Sequence, residues 1–112
     1  FLFVGLGVQL PESIPAGPAK DAATAYLKLW ESKHPGRSAS AGARAWDSVA
    51  VIAKAAEIAG SLDGTKMRDA LEKVSGLQGA ASAYNFSADE HNGVTQNPFT
   101  IGVAREGKLV AK

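Results

Sequence analysis

The sequence that decides the fold is Ala45–Gly60, AWDSVAVIAKAAEIAG, followed directly by Ser61–Leu71, SLDGTKMRDAL. In the first stretch, apolar residues recur at three- and four-residue spacing, the pattern of an amphipathic helix. We therefore predict a helix from about residue 43 to 59. Its expected buried face is Trp46, Val49, Ala50, Ile52, Ala53 and Ala56.

The second stretch predicts another helix, from about Thr65 to Val74. Gly60 is placed to end the preceding helix in the left-handed conformation, and Asp63 or Thr65 can cap the first free amides of the next helix. Leu71 and Phe86 are expected to join the core. Asp47, Lys54, Glu57, Lys66 and Glu72 are expected to face solvent.

The flanking sequence predicts strands at both ends of the chain. Residues 1–8, FLFVGLGV, form an apolar run too short to span a bilayer, and they predict a buried strand of the kind found in parallel sheets. A proline-rich corner, a helix over 19–33 and a loop over 37–43 follow. The final part predicts strands at 83–86 and 99–104, with a hairpin turn at 105–108.

Composition is that of an ordinary soluble domain. The 112 residues are 46% apolar and 21% charged, which argues against a disordered chain. The net charge of +1 comes from 12 basic and 11 acidic residues interspersed along the chain, so no nucleic-acid partner is predicted. Cysteine is absent, which excludes disulfides and thiolate chemistry.

The sequence offers little support for a cofactor or metal site. Gly5-Leu6-Gly7 is half of a dinucleotide-binding fingerprint, but the third glycine is missing and prolines follow where a helix should open. Asp89, Glu90 and His91 are metal-ligating residue types, but adjacent residues on a turn point in different directions. We therefore predict no cofactor and no metal.

Catalytic residues are not apparent either. Ser48 lies within a predicted helix, without the sharp strand-to-helix turn that exposes a hydrolase serine. Asp47 is expected to interact favourably with the positive end of the helix dipole. Asp69 and Glu72 are expected to be solvated. No acid and base pair can be assembled, so we predict a noncatalytic protein.

The succession of these elements resembles the closing segment of type I periplasmic solute-binding proteins of ABC transporters. The resemblance rests on the Trp46-Asp47 helix, the Arg68-Asp69-Ala70-Leu71 helix after it and the following Tyr84-Asn85-Phe86. It implies an α/β fold in which two lobes hold a solute between them by hinge closure. Residues 1–112 would then be one C-terminal segment of a longer receptor, with pieces of both lobes.

The resemblance also implies a binding site. The family places ligand-facing residues just before the alanine-rich helix, and the corresponding residues are Ala41, Gly42, Ala43 and Arg44. Ala41 stands where relatives often have a large aromatic residue, which leaves room for a bulkier solute. Arg44 could meet a solute carboxylate as a bidentate donor, or it could simply point to solvent.

The function implied is solute binding for an ABC-type importer. The solute class is amino acids or related aromatic or small carboxylates, the partner is a membrane permease, and the location is the periplasm. A ligand-sensing regulatory domain of the same fold and an unrelated small α/β enzyme are the alternatives. The isolated segment is expected to self-associate, because it would expose strand edges and apolar helix faces.

Overall fold

The computed structural model describes residues 1–94 and 96–112. The chain is an α/β structure with a strand, three helices and paired C-terminal strands, in agreement with the predicted class. Its elements in chain order are β1 (Leu2–Leu6), α1 (Pro18–Lys33), α2 (Ser40–Ala59), α3 (Gly64–Leu71), β2 (Leu77–Gln78), β3 (Ala83–Tyr84), β4 (Phe99–Arg105) and β5 (Lys108–Ala111).

The main sheet has three antiparallel strands in the order β1-β4-β5. Leu2 of β1 lies opposite Val103, and Leu6 lies opposite Phe99. The predicted hairpin is confirmed: Arg105 pairs with Lys108, and Glu106 and Gly107 both have positive φ, as a tight turn requires. The C-terminal part of the chain therefore closes onto its first strand.

The prediction that the first strand is buried in a parallel sheet is wrong. β1 is an edge strand of an antiparallel sheet, and Leu2 and Val4 are 56% and 69% exposed. Its second half is buried, because Leu6 joins a core cluster with the helices. An apolar run predicts a strand, but the burial of each face of that strand depends on which elements pack against it.

Two connecting segments join the sheet to the helical part. The first, residues 7–17, contains 3₁₀ turns at Gly7–Gln9 and Pro11–Ser13. The second, residues 85–98, leads back to β4, and the amide of Gly7 donates to the carbonyl of Pro98 at 3.1 Å. The two segments thus lie side by side. The core cluster beside them contains Leu6, Val8, Ala23, Tyr26, Ala43 and Ala80.

The buried face of α2 differs from the predicted one. Trp46, Val49 and Ile52 are 49%, 68% and 54% exposed, and Ala53 is exposed as well, while Ala50 and Ala56 are half-buried. The buried residues are instead Ala43, Asp47, Val51 and Ala55, at regular four-residue spacing. Small side chains on this stripe let α2 approach its neighbours closely. Large apolar residues show which face of a helix is suited to burial. They do not show which face packs against another element of this chain.

The α2–α3 turn follows the predicted capping chemistry. Gly60 adopts the left-handed conformation with φ 59° at the end of α2, and the side chain of Asp63 accepts a hydrogen bond from the amide of Lys66. A second cluster of Ala55, Ala70 and Val74 packs α3 against α2. Leu71 and Phe86 are only half-buried at its rim, less than predicted.

Two predicted boundaries are also corrected. α3 ends at Leu71 rather than near Val74, and β3 ends at Tyr84 rather than Phe86. The amide of Phe86 donates to the carbonyl of Val74 at 2.8 Å, so Phe86 is bonded to the segment that follows α3 instead of to a strand. Glu72, expected in solvent, is half-buried. Over residues 1–94 and 96–112, no helix combines the length and apolar character needed to cross a membrane.

The observed burial predicts unequal effects of two alanine substitutions. Leu10 is 1% exposed, so Leu10→Ala should lower the free energy of unfolding by about 2–5 kcal/mol. Ile52→Ala should change it by less than about 0.5 kcal/mol, because that side chain is mostly in solvent. Urea denaturation of the 112-residue chain measures both. A loss from Ile52→Ala of about 2 kcal/mol or more would show that the face of α2 is wrongly assigned.

Candidate functional site

A buried carboxylate joins the middle of the chain to the segment after β2. Asp47 is 1% exposed, and its side chain accepts hydrogen bonds from the amides of Ala80, Ala81 and Ser82 at 2.6, 2.8 and 3.3 Å. The hydroxyl of Tyr84 donates to the same carboxylate at 2.9 Å. We call this arrangement the Asp47 clasp. Because all four groups are donors, they match an ionised, acceptor-only carboxylate.

The clasp satisfies a charge that would otherwise be costly to bury. Removing a carboxylate from water costs several kcal/mol, while each hydrogen bond to a charged group contributes about 1.5–3 kcal/mol. Gly79 makes the close approach possible, since a Cβ there would collide with the Asp47 carboxyl group. The segment Gly79–Ser82 therefore lies directly against α2.

The prediction that Asp47 faces solvent is wrong, and the sequence signal for it is subtle. Asp47 lies four residues after Ala43 and four before Val51, so it occupies the stripe of α2 that is otherwise small and apolar. The charge of Asp47 is compensated by backbone amides from a segment of small residues, Gly79-Ala80-Ala81-Ser82. This pairing spans more than 30 positions of sequence, so local pattern does not show it.

The segment held by the clasp lines a cavity of about 260 Å³. The two connecting segments form its other walls, so the cavity lies where the sheet and the helical part meet. The described lining residues include no charged side chain. They are Gly7, Val8, Ser13, Ile14, Pro15, Ala19, Gln78, Ala80, Ala81, Ser82, Ala83, Gln96, Asn97, Pro98, Phe99 and Thr100. Its volume is just below the range of roughly 300–1,000 Å³ for ligand pockets, so it resembles part of a larger site.

The predicted site residues Ala41–Arg44 lie in the first turns of α2, not in a loop. The helix begins at Ser40 because the connection before it is anchored: the Tyr26 hydroxyl donates to the carbonyl of Ala39 at 2.8 Å. The Trp30 indole similarly donates to the carbonyl of Arg37 at 3.0 Å. The prediction of a loop over residues 37–43 is therefore wrong for its second half.

The four residues point in different directions. Ala43 is fully buried, and a Cβ at Gly42 would collide with the Trp30 ring and the Tyr26 hydroxyl. Ala41 and Arg44 are exposed. Only these two present side chains that a solute could contact.

Arg44 is electrostatically coupled to the clasp. Burial raises the pKa of Tyr84, and the hydrogen bond to Asp47 and the charge of that carboxylate raise it further, while the positive charge of Arg44 acts in the opposite direction. Burial also raises the pKa of Tyr26, with a smaller contribution from Asp47. Arg44 thus brings a positive charge to the end of α2 that faces Tyr84.

The turn residues considered as metal ligands do not form a site. His91 lies 3.3 Å from Glu72, which also faces Arg68 at 3.9 Å, so this carboxylate is engaged with two basic side chains at the surface. Within residues 1–94 and 96–112, no cluster of three or more potential metal-ligating side chains is present.

The raised pKa values predict a distinctive alkaline titration. The chain has two tyrosines, and folding favours the neutral form of both, so their stabilising contribution is present below pH 10 and is lost as pH rises above it. Absorbance at 295 nm should show little tyrosinate in the folded chain at pH 10. Ionisation should instead accompany unfolding, as followed by circular dichroism. Ionisation of Tyr84 near pH 10 with the structure intact would contradict the clasp. The Tyr84→Phe variant is the control, because Tyr26 is then the tyrosine that is titrated.

The fold is shared with known ligand-binding receptors. An extracellular ligand-binding receptor from Rhodopseudomonas palustris superposes with a TM-score of 0.84 at 19% identity, over 99% of this chain and 33% of that chain. Another from strain HaA2 gives 0.86 at 17% identity, over 99% and 34%. A leucine-binding protein from Thermotoga maritima gives 0.74 at 20% identity, over 99% and 29%. The chain therefore spans about a third of the length of these proteins.

Sequence comparison identifies the family. No curated protein matches the chain, but the model of the periplasmic binding protein family matches residues 4–108. The family and the similar structures are ligand-binding proteins, in agreement with the prediction of a noncatalytic chain. Nearly the whole length is included in the match, and the chain belongs to the periplasmic binding protein family.

Proposed function

We propose that this chain forms part of a solute receptor for an ABC-type importer. The observation that carries the proposal is the family match over residues 4–108. The similar structures are ligand-binding receptors, and one of them is a leucine-binding protein. The solute we propose is an amino acid or a related aromatic or small carboxylate.

The arrangement of the chain supports a contribution to both lobes of such a receptor. The sheet of β1, β4 and β5 and the body of α1–α3 are joined by the two connecting segments, which lie side by side. The molecule is also elongated, measuring 51 × 30 × 22 Å. We assign the sheet to one lobe and the helices to the other. The cavity between them would then be part of the solute cleft.

Arg44 is the residue proposed to meet the solute carboxylate. It is exposed, it lies one turn before Asp47, and its positive charge acts on Tyr84. The cavity lining held by the clasp is uncharged, so a carboxylate needs a cation from outside that lining. A planar guanidinium can donate two parallel hydrogen bonds to it. Ala41, three residues earlier and exposed, leaves space for the body of the solute.

The partners follow from the proposed role. A receptor of this kind delivers its solute to a membrane permease, and we place it in the periplasm, as the family name indicates. Self-association of the isolated 112 residues stays a prediction. The exposed edge strands β1 and β5, with Leu2 and Val4 of β1 more than half exposed, support it.

Solute binding is tested by calorimetric titration of the longest natural chain that contains residues 1–112. Leucine and an aromatic acid should bind, whereas the isolated 112 residues should bind feebly because no opposing surface buries the solute. Arg44→Ala should weaken binding by about 1.5–3 kcal/mol, the contribution of a hydrogen bond to a charged group, and Arg44→Lys by less. Ala41→Phe should shift preference toward the smaller solute.

Lys54→Ala is the matched control. Lys54 is another exposed cation on α2, ten positions further along and paired with Glu57, so its loss should leave affinity unchanged. If the longer chain binds solute but the Arg44 and Ala41 variants behave like Lys54→Ala, the receptor function stands and the site assignment fails. If no amino acid or carboxylate binds, the proposed solute class is wrong.

A further inference from the structure

An Asn-Gly pair, Asn92-Gly93, lies in the connecting segment between β3 and β4. An asparagine side chain can be attacked by the backbone nitrogen of the residue that follows it, and glycine obstructs this reaction least because it has no side chain. The other two asparagines of the chain are poorly placed for it. Asn85 precedes the bulky Phe86, and Asn97 precedes Pro98, which has no N–H group.

The fold requires glycine directly after Asn92. Gly93 has φ 71°, in the left-handed region that favours glycine, and a Cβ at position 93 would collide with the ring of Phe86. Asn92 itself is exposed, so water has access to it. The turn therefore presents an asparagine to solvent beside the residue that obstructs its reaction least.

One carboxylate engages the reactive nitrogen. Oε1 of Glu90 accepts a hydrogen bond from the amide of Asn92 at 2.7 Å and another from the amide of Gly93 at 3.3 Å. The Gly93 nitrogen must give up its proton to attack, and a negative charge beside it opposes formation of the amide anion. The hydrogen bond must also break before base can remove that proton. Glu90 therefore opposes the reaction that the Asn-Gly pair favours.

We propose that Asn92 is a site of spontaneous deamidation and that the Glu90 carboxylate restrains its rate. In this reaction the Gly93 nitrogen attacks Cγ of Asn92 and forms a new C–N bond. The side-chain nitrogen leaves as ammonia, which carries away the proton lost by Gly93. Water then adds to one of the two carbonyl carbons of the cyclic imide and opens the ring, giving aspartate or isoaspartate. The reaction consumes only water, and the proposal does not depend on the solute-binding function.

Formation of isoaspartate would act on the contacts that follow Asn92. It places an additional methylene in the backbone between residues 92 and 93. The carbonyl of Gly93 accepts a hydrogen bond from the amide of Asn85 at 2.8 Å. Val94 then pairs with Tyr84, whose hydroxyl is part of the clasp. The longer backbone should therefore weaken the pairing of the segment that supplies Tyr84.

The test is incubation of the longest natural chain that contains residues 1–112 at mildly alkaline pH, followed by mass spectrometry of its tryptic peptides. Cleavage after Lys73 and Arg105 releases all three asparagines in one peptide, so fragmentation shows which of them has changed. Asn92 should deamidate first. Glu90→Ala should raise its rate about fivefold or more, the effect of losing a hydrogen bond to a charged acceptor.

Asp89→Ala is the matched control. It removes a carboxylate from the same turn and leaves both hydrogen bonds to Glu90 in place, so Asn92 should deamidate at close to the parent rate. If Glu90→Ala does not fold, as judged by circular dichroism, Glu90→Gln takes its place, because the amide keeps the size of the side chain and removes its charge. That variant should also deamidate faster than Asp89→Ala.

The proposal is overturned if Asn85 or Asn97 deamidates before Asn92, or if the Glu90 variant is no faster than Asp89→Ala. A slower rate in the Glu90 variant would overturn it as well, since the carboxylate would then act as a base. Hydrogen exchange at the amide of Asn85 checks the structural consequence. Exchange should be faster in the isoaspartate product than in Asn92→Asp, which has the same charge on a normal backbone, and equal exchange would contradict the expected loss of pairing.

Discussion

The constraint on which the rest of this structure depends is the burial of one carboxylate. Asp47 lies inside the protein with 1% of its surface exposed, so its charge must be matched by donors that the chain supplies itself. Three consecutive amides and the Tyr84 hydroxyl do this. Consecutive backbone amides that converge on one anion form a concave site of the kind that binds free anions in other proteins. Here the anion is a side chain, and the result is a fixed tertiary contact.

The clasp determines the geometry around it. Because α2 approaches the segment Gly79–Ser82 so closely, position 79 requires glycine, and Ala80 of that segment shares a core cluster with Ala43 of α2. The same segment forms one wall of the cavity where the sheet meets the helices. Arg44 lies one turn earlier on α2, and its positive charge opposes the rise in the pKa of Tyr84. The proposed solute site is therefore positioned by a residue that would not itself touch the solute.

Local sequence patterns predicted the elements governed by local chemistry. The left-handed Gly60, the Asp63 cap and the hairpin turn at Glu106 and Gly107 are all present, because each depends on residues within a few positions. The succession of elements was sufficient to identify the family. Helix and strand ends were less accurate, since the start of α2 depends on a hydrogen bond from Tyr26, thirteen residues before Ala39.

The buried face of α2 could not be predicted from this sequence alone. Hydrophobicity favoured Trp46 and Val49, but these residues line an apolar groove between α1 and α2 and are 49% and 68% exposed. The face that packs within the chain carries an aspartate, which hydrophobicity assigns to solvent. Its burial depends on amides more than 30 positions away. Similarly, Gly42 and Ala43 belong to the predicted site by resemblance, but the packing of α2 turns both inward.

Hydrogen exchange at the amides of Ala80, Ala81 and Ser82 tests the clasp most directly. In the 112-residue chain these amides should exchange slowly, and Asp47→Asn should accelerate them about tenfold or more, since hydrogen bonds to a charged acceptor contribute about 1.5–3 kcal/mol each. The amide of Ala55 in α2 should change much less. The clasp is contradicted if the three amides already exchange at unprotected rates in the parent chain, or if Asp47→Asn leaves their rates unchanged.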